Sequence, residues 1–248
     1  MGGRWALVAG GSGGIGRAVC RALAEDGRDV VLTYRHGAEA AALAAAEVEA
    51  AGREAITVQV DLCDAEATAD VVRNAAPFDA VVYAAGPHIP MRYISAVTPA
   101  QYREQILGDT VAAYNLLHPS IEVLRGTQGS MVALVTPAVE RYSKKDMLSS
   151  APKASVAATI RGIAAEEGRY GVRANCVGVG LLEGEGMWRE LVARGDYTDE
   201  LLATARANLA LRRFGRVEDV AEVVRFLVSG RAGWITGQTV NVDGGYAL

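Results

Sequence analysis

The densest chemical signal in the chain is the run Gly10-Gly11-Ser12-Gly13-Gly14-Ile15-Gly16. It lies directly after an apolar stretch and directly before a segment of helical period. Glycines allow a tight turn and let backbone approach a pyrophosphate, while the amides and dipole of the next helix favour its negative charge. Strand, turn and helix in that order are what such a motif requires. The run therefore reads as a dinucleotide cradle built from Gly10, Ser12, Gly13, Gly14, Ile15 and Gly16. A second indication is the charge after the next apolar run. An acid there bonds a free ribose 2′-hydroxyl, whereas a base accommodates a 2′-phosphate. The sequence is Leu32-Thr33-Tyr34-Arg35-His36, with no acid, so Arg35 favours NADP(H) over NAD(H). No metal site is readable, because His36, His88 and His118 lack ligand spacing and Cys20, Cys63 and Cys176 form no CxxC pair.

These groups need elements to hold them. Apolar runs at 5–9, 30–33, 55–60, 80–83, 131–135, 172–177 and 239–242 are short enough for strands buried on both faces. Helical patterns lie between them near 15–26, 38–51, 65–75, 100–125, 150–168 and 217–229. This alternation predicts right-handed βαβ units and an α/β fold: one Rossmann domain over 1–248, with a doubly wound parallel sheet of about seven strands. Segment 183–212, with Met187, Trp188 and Tyr197 among glycines and charges, is either a substrate lid or a solvated helical excursion.

Composition limits the classes of function. The 248 residues are half hydrophobic, with 25 basic against 29 acidic side chains, a net charge of −4. Nucleic-acid binding calls for a basic surplus and stacking aromatics, and aromatics are only 6% here. No stretch of about 18 uncharged apolar residues predicts a membrane span, and the N-terminal residues do not have a signal-peptide layout. Scattered cysteines fit reduced thiols and a cytoplasmic setting.

The glycine run resembles the TGxxxGIG loop of the short-chain dehydrogenase/reductase family, with Ala9 where that family has Thr. Further marks follow in order. Asp61-Leu62 lies at the family's adenine contact, and Tyr83-Ala84-Ala85-Gly86 stands at its NNAG stretch. Arg173-Ala174-Asn175 matches its RVN. The residues Arg213-Phe214-Gly215-Arg216, Asp219-Val220-Ala221, Ile235-Thr236-Gly237-Gln238 and Val242-Asp243-Gly244-Gly245 match its C-terminal region. The resemblance spans essentially the whole chain. It implies a nicotinamide cofactor contacted also by Asp61, Leu62, Ala85, Gly86, Lys153 and Gly180. It further implies a small-molecule substrate and a homotetramer or homodimer packed through the 100–125 and 150–168 helices and the C-terminal segment.

The resemblance fails at the catalytic positions. In this family a Tyr and a Lys four residues apart share one helix face. The Lys holds the nicotinamide ribose and lowers the Tyr pKa, and the Tyr protonates the substrate oxygen. A Ser about a dozen residues earlier and an Asn on the preceding helix complete the set. Here Lys153 is kept, Ser149 stands in the Tyr position, Thr136 in the Ser position and Asp109 in the Asn position. Val179-Gly180 replaces the family's Pro-Gly. A serine hydroxyl is a much weaker acid than a phenol, so the ordinary route is lost. Ser149 or Thr136 can still bond a substrate oxygen, a donor worth roughly 3–4 kcal/mol. Asp109 would pair with Lys153 and keep its ammonium charged. Tyr142, between Thr136 and Ser149, is a substitute phenol; Tyr83, Tyr93 and His88 follow the fourth strand.

Three readings follow. One is an atypical NADP(H)-dependent oxidoreductase that reduces a carbonyl, enone or imine. Another is a non-redox dehydratase, cyclase or isomerase using Asp109, His88 or Tyr142. The third is a nucleotide-binding homologue without catalysis.

Overall fold

A computed structural model describes residues 4–75, 77–184, 188, 192–193, 195 and 198–248. All seven expected strands form: β1 (Arg4–Ala9), β2 (Arg28–Tyr34), β3 (Ala55–Gln59), β4 (Ala80–Tyr83), β5 (Ser130–Val135), β6 (Arg173–Val179) and β7 (Thr239–Val242). They make one sheet in the order β3-β2-β1-β4-β5-β6-β7, with every pair parallel. The chain builds outward from β1 to β3, then crosses to the other side of β1 to start β4. Ligands of such sheets bind beyond the carboxyl ends of the strands at this reversal.

Alternate residues of each strand enter opposite layers. Ala6, Val8, Val30, Leu32, Ala80, Val82, Val132 and Leu134 pack on one face against α1 (Gly14–Glu25), α2 (Ala38–Ala50) and the late helix Val217–Val228. Leu7, Ala9, Val31, Val81, Tyr83, Met131, Ala133 and Val135 pack on the other. That second face is covered by α3 (Ala65–Ala75), α5 (Ala112–Thr127) and α6 (Met147–Glu167).

The pattern at 100–125 predicts one helix, and the structure divides it. α4 (Pro99–Gln105) opens with a Thr98–Gln101 capping box. A π turn over Ile106–Val111 follows, and then α5 begins. The extra residue of a π turn re-aims side chains, and here it carries Asp109 to 2% exposure. Within 183–212, α7 (Asp199–Ala207) is a helix, and Val217–Val228 becomes α8. Met187 and Tyr197 of the expected lid lie outside the described residues.

Candidate active site

The glycine run occupies the crevice at the reversal. Ala9 and Tyr83 are register partners at the ends of β1 and β4, so their following loops are neighbours. Gly10 has φ +77°, and a Cβ there would lie 2.8 Å from the Ala85 backbone. A Cβ on Gly16 would lie 2.1 Å from the Gly10 carbonyl oxygen. The Gly11 amide donates to the Thr33 carbonyl at 3.1 Å and that of Gly13 to Gly10 at 3.1 Å. Gly13 is the N-cap of α1 and has no side chain to satisfy the first-turn amides, which no acidic residue opposes. Those open amides and the side-chain-free turn fit a pyrophosphate.

On the second core face stands a buried polar cluster. The Lys153 ammonium lies 2.9 Å from Asp109 Oδ1 and donates at 3.4 Å to the Ala85 carbonyl. The Tyr83 hydroxyl lies 2.9 Å from Asp109 Oδ1 and 3.0 Å from the Asp109 carbonyl. Burial, reinforced by the Asp109 charge, holds the Tyr83 phenol well above its usual range, so it stays a hydrogen-bond donor. Lys153 also lies 5.0 Å from the Tyr83 ring centroid. Thus Asp109 accepts from both neighbours, and the ammonium faces the loop that packs on Gly10.

One turn before Lys153, on the same face of α6, lies Ser149, 6% exposed. The half-buried Asp146 is the N-cap of that helix. Burial pushes its carboxyl up to about 7, and the Ser149 hydroxyl, hydrogen-bonded to it, acts in the opposite direction. Thr136 follows β5, where its hydroxyl accepts from the Ala138 amide at 3.2 Å.

The family model described as enoyl-(acyl carrier protein) reductase matches residues 9–247. The chain belongs to the short-chain dehydrogenase/reductase family. Versicolorin reductase 1 of Aspergillus parasiticus is 32% identical, over 98% of this chain and 96% of that protein. The 3-oxoacyl-[acyl-carrier-protein] reductase of Staphylococcus aureus strain Mu50 is 29% identical, over 97% and 96%. A blue fluorescent protein from a metagenomic library, solved in complex with NADPH, superposes with a TM-score of 0.85 at 29% identity, covering 99% of this chain and 98% of that one.

Against this short-chain dehydrogenase/reductase frame, the residues singled out by sequence separate into groups. Lys153, Asp109 and Ala85 are in direct contact; Gly86 borders the ammonium, since a Cβ there would lie 3.7 Å from it. Arg35 is exposed beyond β2, and its charge, with that of His36, helps hold Asp61 below the usual carboxylate range. The amide of Cys63 is the larger cause. Ser12 lies on the glycine turn, its hydroxyl 4.0 Å from where a Gly37 Cβ would be. Leu62 is buried, its carbonyl held by the Asn115 side chain at 2.9 Å. Gly14 opens α1 and Ile15 packs against the first core face. Gly180 packs against the end of β7, where a Cβ would meet the Asp243 Cα at 2.5 Å. Tyr142 stands half exposed on the loop before α6, and no hydrogen bond among the described residues ties it to Lys153, Asp109 or Ser149. His88 and Tyr93 are exposed on the loop after β4. Tyr83, singled out with the phenols near the fourth strand, is tied to Asp109; that bond and Asp146 escape the sequence reading. Tyr83 has the look of the last core residue of a strand, and Asp146 that of an ordinary helix cap.

Proposed function

We propose that the protein is an NADP(H)-dependent reductase of a small-molecule carbonyl, enone or imine, working without the tyrosine its family ordinarily uses. The carrying observation is Lys153, fixed by Asp109 and facing the Ala85–Gly86 loop that closes over the glycine cradle. An ammonium at that place would hold the nicotinamide ribose, and the open amides of α1 would hold the pyrophosphate. Arg35 would receive the 2′-phosphate, with Ser12 a further polar group on the cradle turn. The bound cofactor supplies hydride to the acceptor carbon. The Ser149 hydroxyl, with Thr136 as a second donor, would bond the acceptor's oxygen or nitrogen. Two relatives named as reductases support reduction as the working direction.

Fluorescence titration with NADPH and NADH tests the first half: NADPH binds, and binds more tightly. Mixing the complex with ketones, enones and imines tests the second, read as loss of nicotinamide absorbance. Failure to hold either nucleotide overturns the reading. NADPH held but never oxidised across the panel overturns the redox part of it and favours a non-redox or silent homologue.

A further inference from the structure

Resting on that reading, we propose that Tyr83 is a positioning residue, whose hydroxyl clasps Asp109 and thereby sets Lys153 for the nicotinamide ribose. The inference starts from two departures from the family pattern. Tyr83 stands in the stretch where the family has Asn-Asn-Ala-Gly, and Asp109 stands at the position of the family's catalytic Asn. In the fold the two departures touch. The Tyr83 hydroxyl lies 2.9 Å from Asp109 Oδ1 and 3.0 Å from the Asp109 carbonyl oxygen. A carboxylate paired with an ammonium has no proton to give, so the phenol is the donor. Its one proton is shared between a side-chain and a main-chain acceptor of the same residue.

That double hold acts where the cluster most needs it. Asp109 belongs to the π turn Ile106–Val111, a break in helical register whose side chains follow the backbone. The Ala112 amide holds the Asp109 carbonyl from within the turn, and Tyr83 ties the same oxygen to the sheet. Tyr83 is itself firmly anchored. It is fully buried at the end of β4, with Ala9 of β1 and Ala133 of β5 as its register partners on either side.

The other side of the clasp is the lysine. Asp109 Oδ1, the atom that accepts from Tyr83, is also 2.9 Å from the Lys153 ammonium, which sits 5.0 Å from the Tyr83 ring centroid. The three residues thus form one closed set of contacts among β4, the π turn and α6. An ammonium has three hydrogens. Asp109 takes one and the Ala85 carbonyl, at 3.4 Å, takes another, which leaves the third for a ribose hydroxyl. A carboxylate at 2% exposure requires donors, and the phenol satisfies part of that requirement. The ammonium is then able to serve a second partner while its long, flexible stem stays fixed. Tyr83, fully buried and bonded to Asp109, does not meet the acceptor and so does not replace the missing phenol. Packing in the second core layer would be served equally by phenylalanine, so the hydroxyl is the informative atom.

The test uses two ligands that share an adenine half. NADPH carries the nicotinamide riboside, and adenosine 2′,5′-bisphosphate lacks it. Lys153→Ala weakens NADPH and spares the bisphosphate, which checks the reading on which the proposal rests. Tyr83→Phe gives the same split, weakening NADPH about tenfold and leaving the bisphosphate as it was. In an Asp109→Ala background Tyr83→Phe has no further effect, because the hydroxyl acts through that carboxylate. Tyr83→Met also fills the core without a donor and provides the same comparison if the phenylalanine variant does not fold. Unchanged NADPH affinity in these variants overturns the proposal. So do equal losses of both ligands, which give the hydroxyl a general structural role, and so does a full effect that persists without Asp109. In each of these cases a split retained by Lys153→Ala leaves the reductase reading standing. Loss of that split removes the ribose anchor from the reading, and the proposal with it.

Discussion

Arg35 is exposed at the end of β2, close enough to Asp61 for its charge to be felt there. A 2′-phosphate arriving at this edge would compete with Asp61 for the guanidinium and gain a charge-assisted hydrogen bond, worth about 1.5–3 kcal/mol. Arg35→Ala should thus weaken NADPH binding tenfold to a hundredfold and leave NADH binding as it was. Parallel titrations measure this; equal losses for both nucleotides would show that Arg35 shapes the loop and does not select the cofactor. At this scale the sequence is uneven as a guide. The Lys153–Asp109 pair is legible because opposite charges at two recognisable positions must meet or be paid for by desolvation. Tyr83 is legible as a phenol near the site, but its bond to Asp109 is not, since a tyrosine after Ala80-Val81-Val82 also satisfies the apolar pattern of a strand. Only the pleat, which sends Tyr83 with Val81 toward α5 and α6, and the π turn at Asp109 bring the two together. Asp146 is invisible for another reason: its chemistry comes from burial, and an acid before a helix is ordinary.

The elements are far easier to read than the side chains between them. Five of the strand runs, β1, β2, β4, β5 and β6, are flanked by strands on both edges, and unbroken Val, Leu and Ala are the signature of that environment. β3, an edge strand with exposed Ile56 and Gln59, is the weakest of the runs and ends one residue earlier than the pattern suggests. The break between α4 and α5 has no counterpart in the sequence, because apolar periodicity passes through a π turn with little change. The amino ends of the strands carry a different kind of information. Arg28, 1% exposed, opens β2 and donates to Asp26 at 2.6 Å, Asp79 at 3.0 Å and the Val228 carbonyl at 3.2 Å. It pins β2, the approach to β4 and the end of α8 at one corner. Removing one partner of such a pair strands the others, at a cost of about 3 kcal/mol when they are partly solvated, as Asp26 and Asp79 are. Arg28→Ala should lower the urea midpoint accordingly while NADPH affinity of the folded fraction holds, since the crevice lies at the opposite ends of the strands. A variant with unchanged stability would refute the corner's role.

Among the described residues, two of the apolar regions that a single copy of the chain leaves in water lie on elements able to pair with another copy. One lies along α4, the π turn and α5, where Tyr102, Leu107 and Tyr114 are 40–52% exposed. The other lies by the last strand: Trp234 is fully exposed, Leu248 is 90% exposed, and every residue of β7 is only partly covered. β7 is also an open edge, with unpaired backbone groups along one side. Large apolar side chains left bare in this way mark interaction surfaces. A surface that pairs with its own copy closes about a two-fold axis, and two such surfaces on separate faces generate a tetramer, whereas one generates a dimer. The helical face and the β7 edge are distinct, so four copies are expected, in keeping with the α5 and α6 packing that the family resemblance implies. Light scattering should then give four times 26.0 kDa. Trp234→Lys should reduce this to two by disabling the β7 side, with NADPH binding kept because the cradle is formed within one chain. A wild-type monomer at micromolar concentration would refute both surfaces. A tetramer indifferent to the lysine would move the second interface away from Trp234.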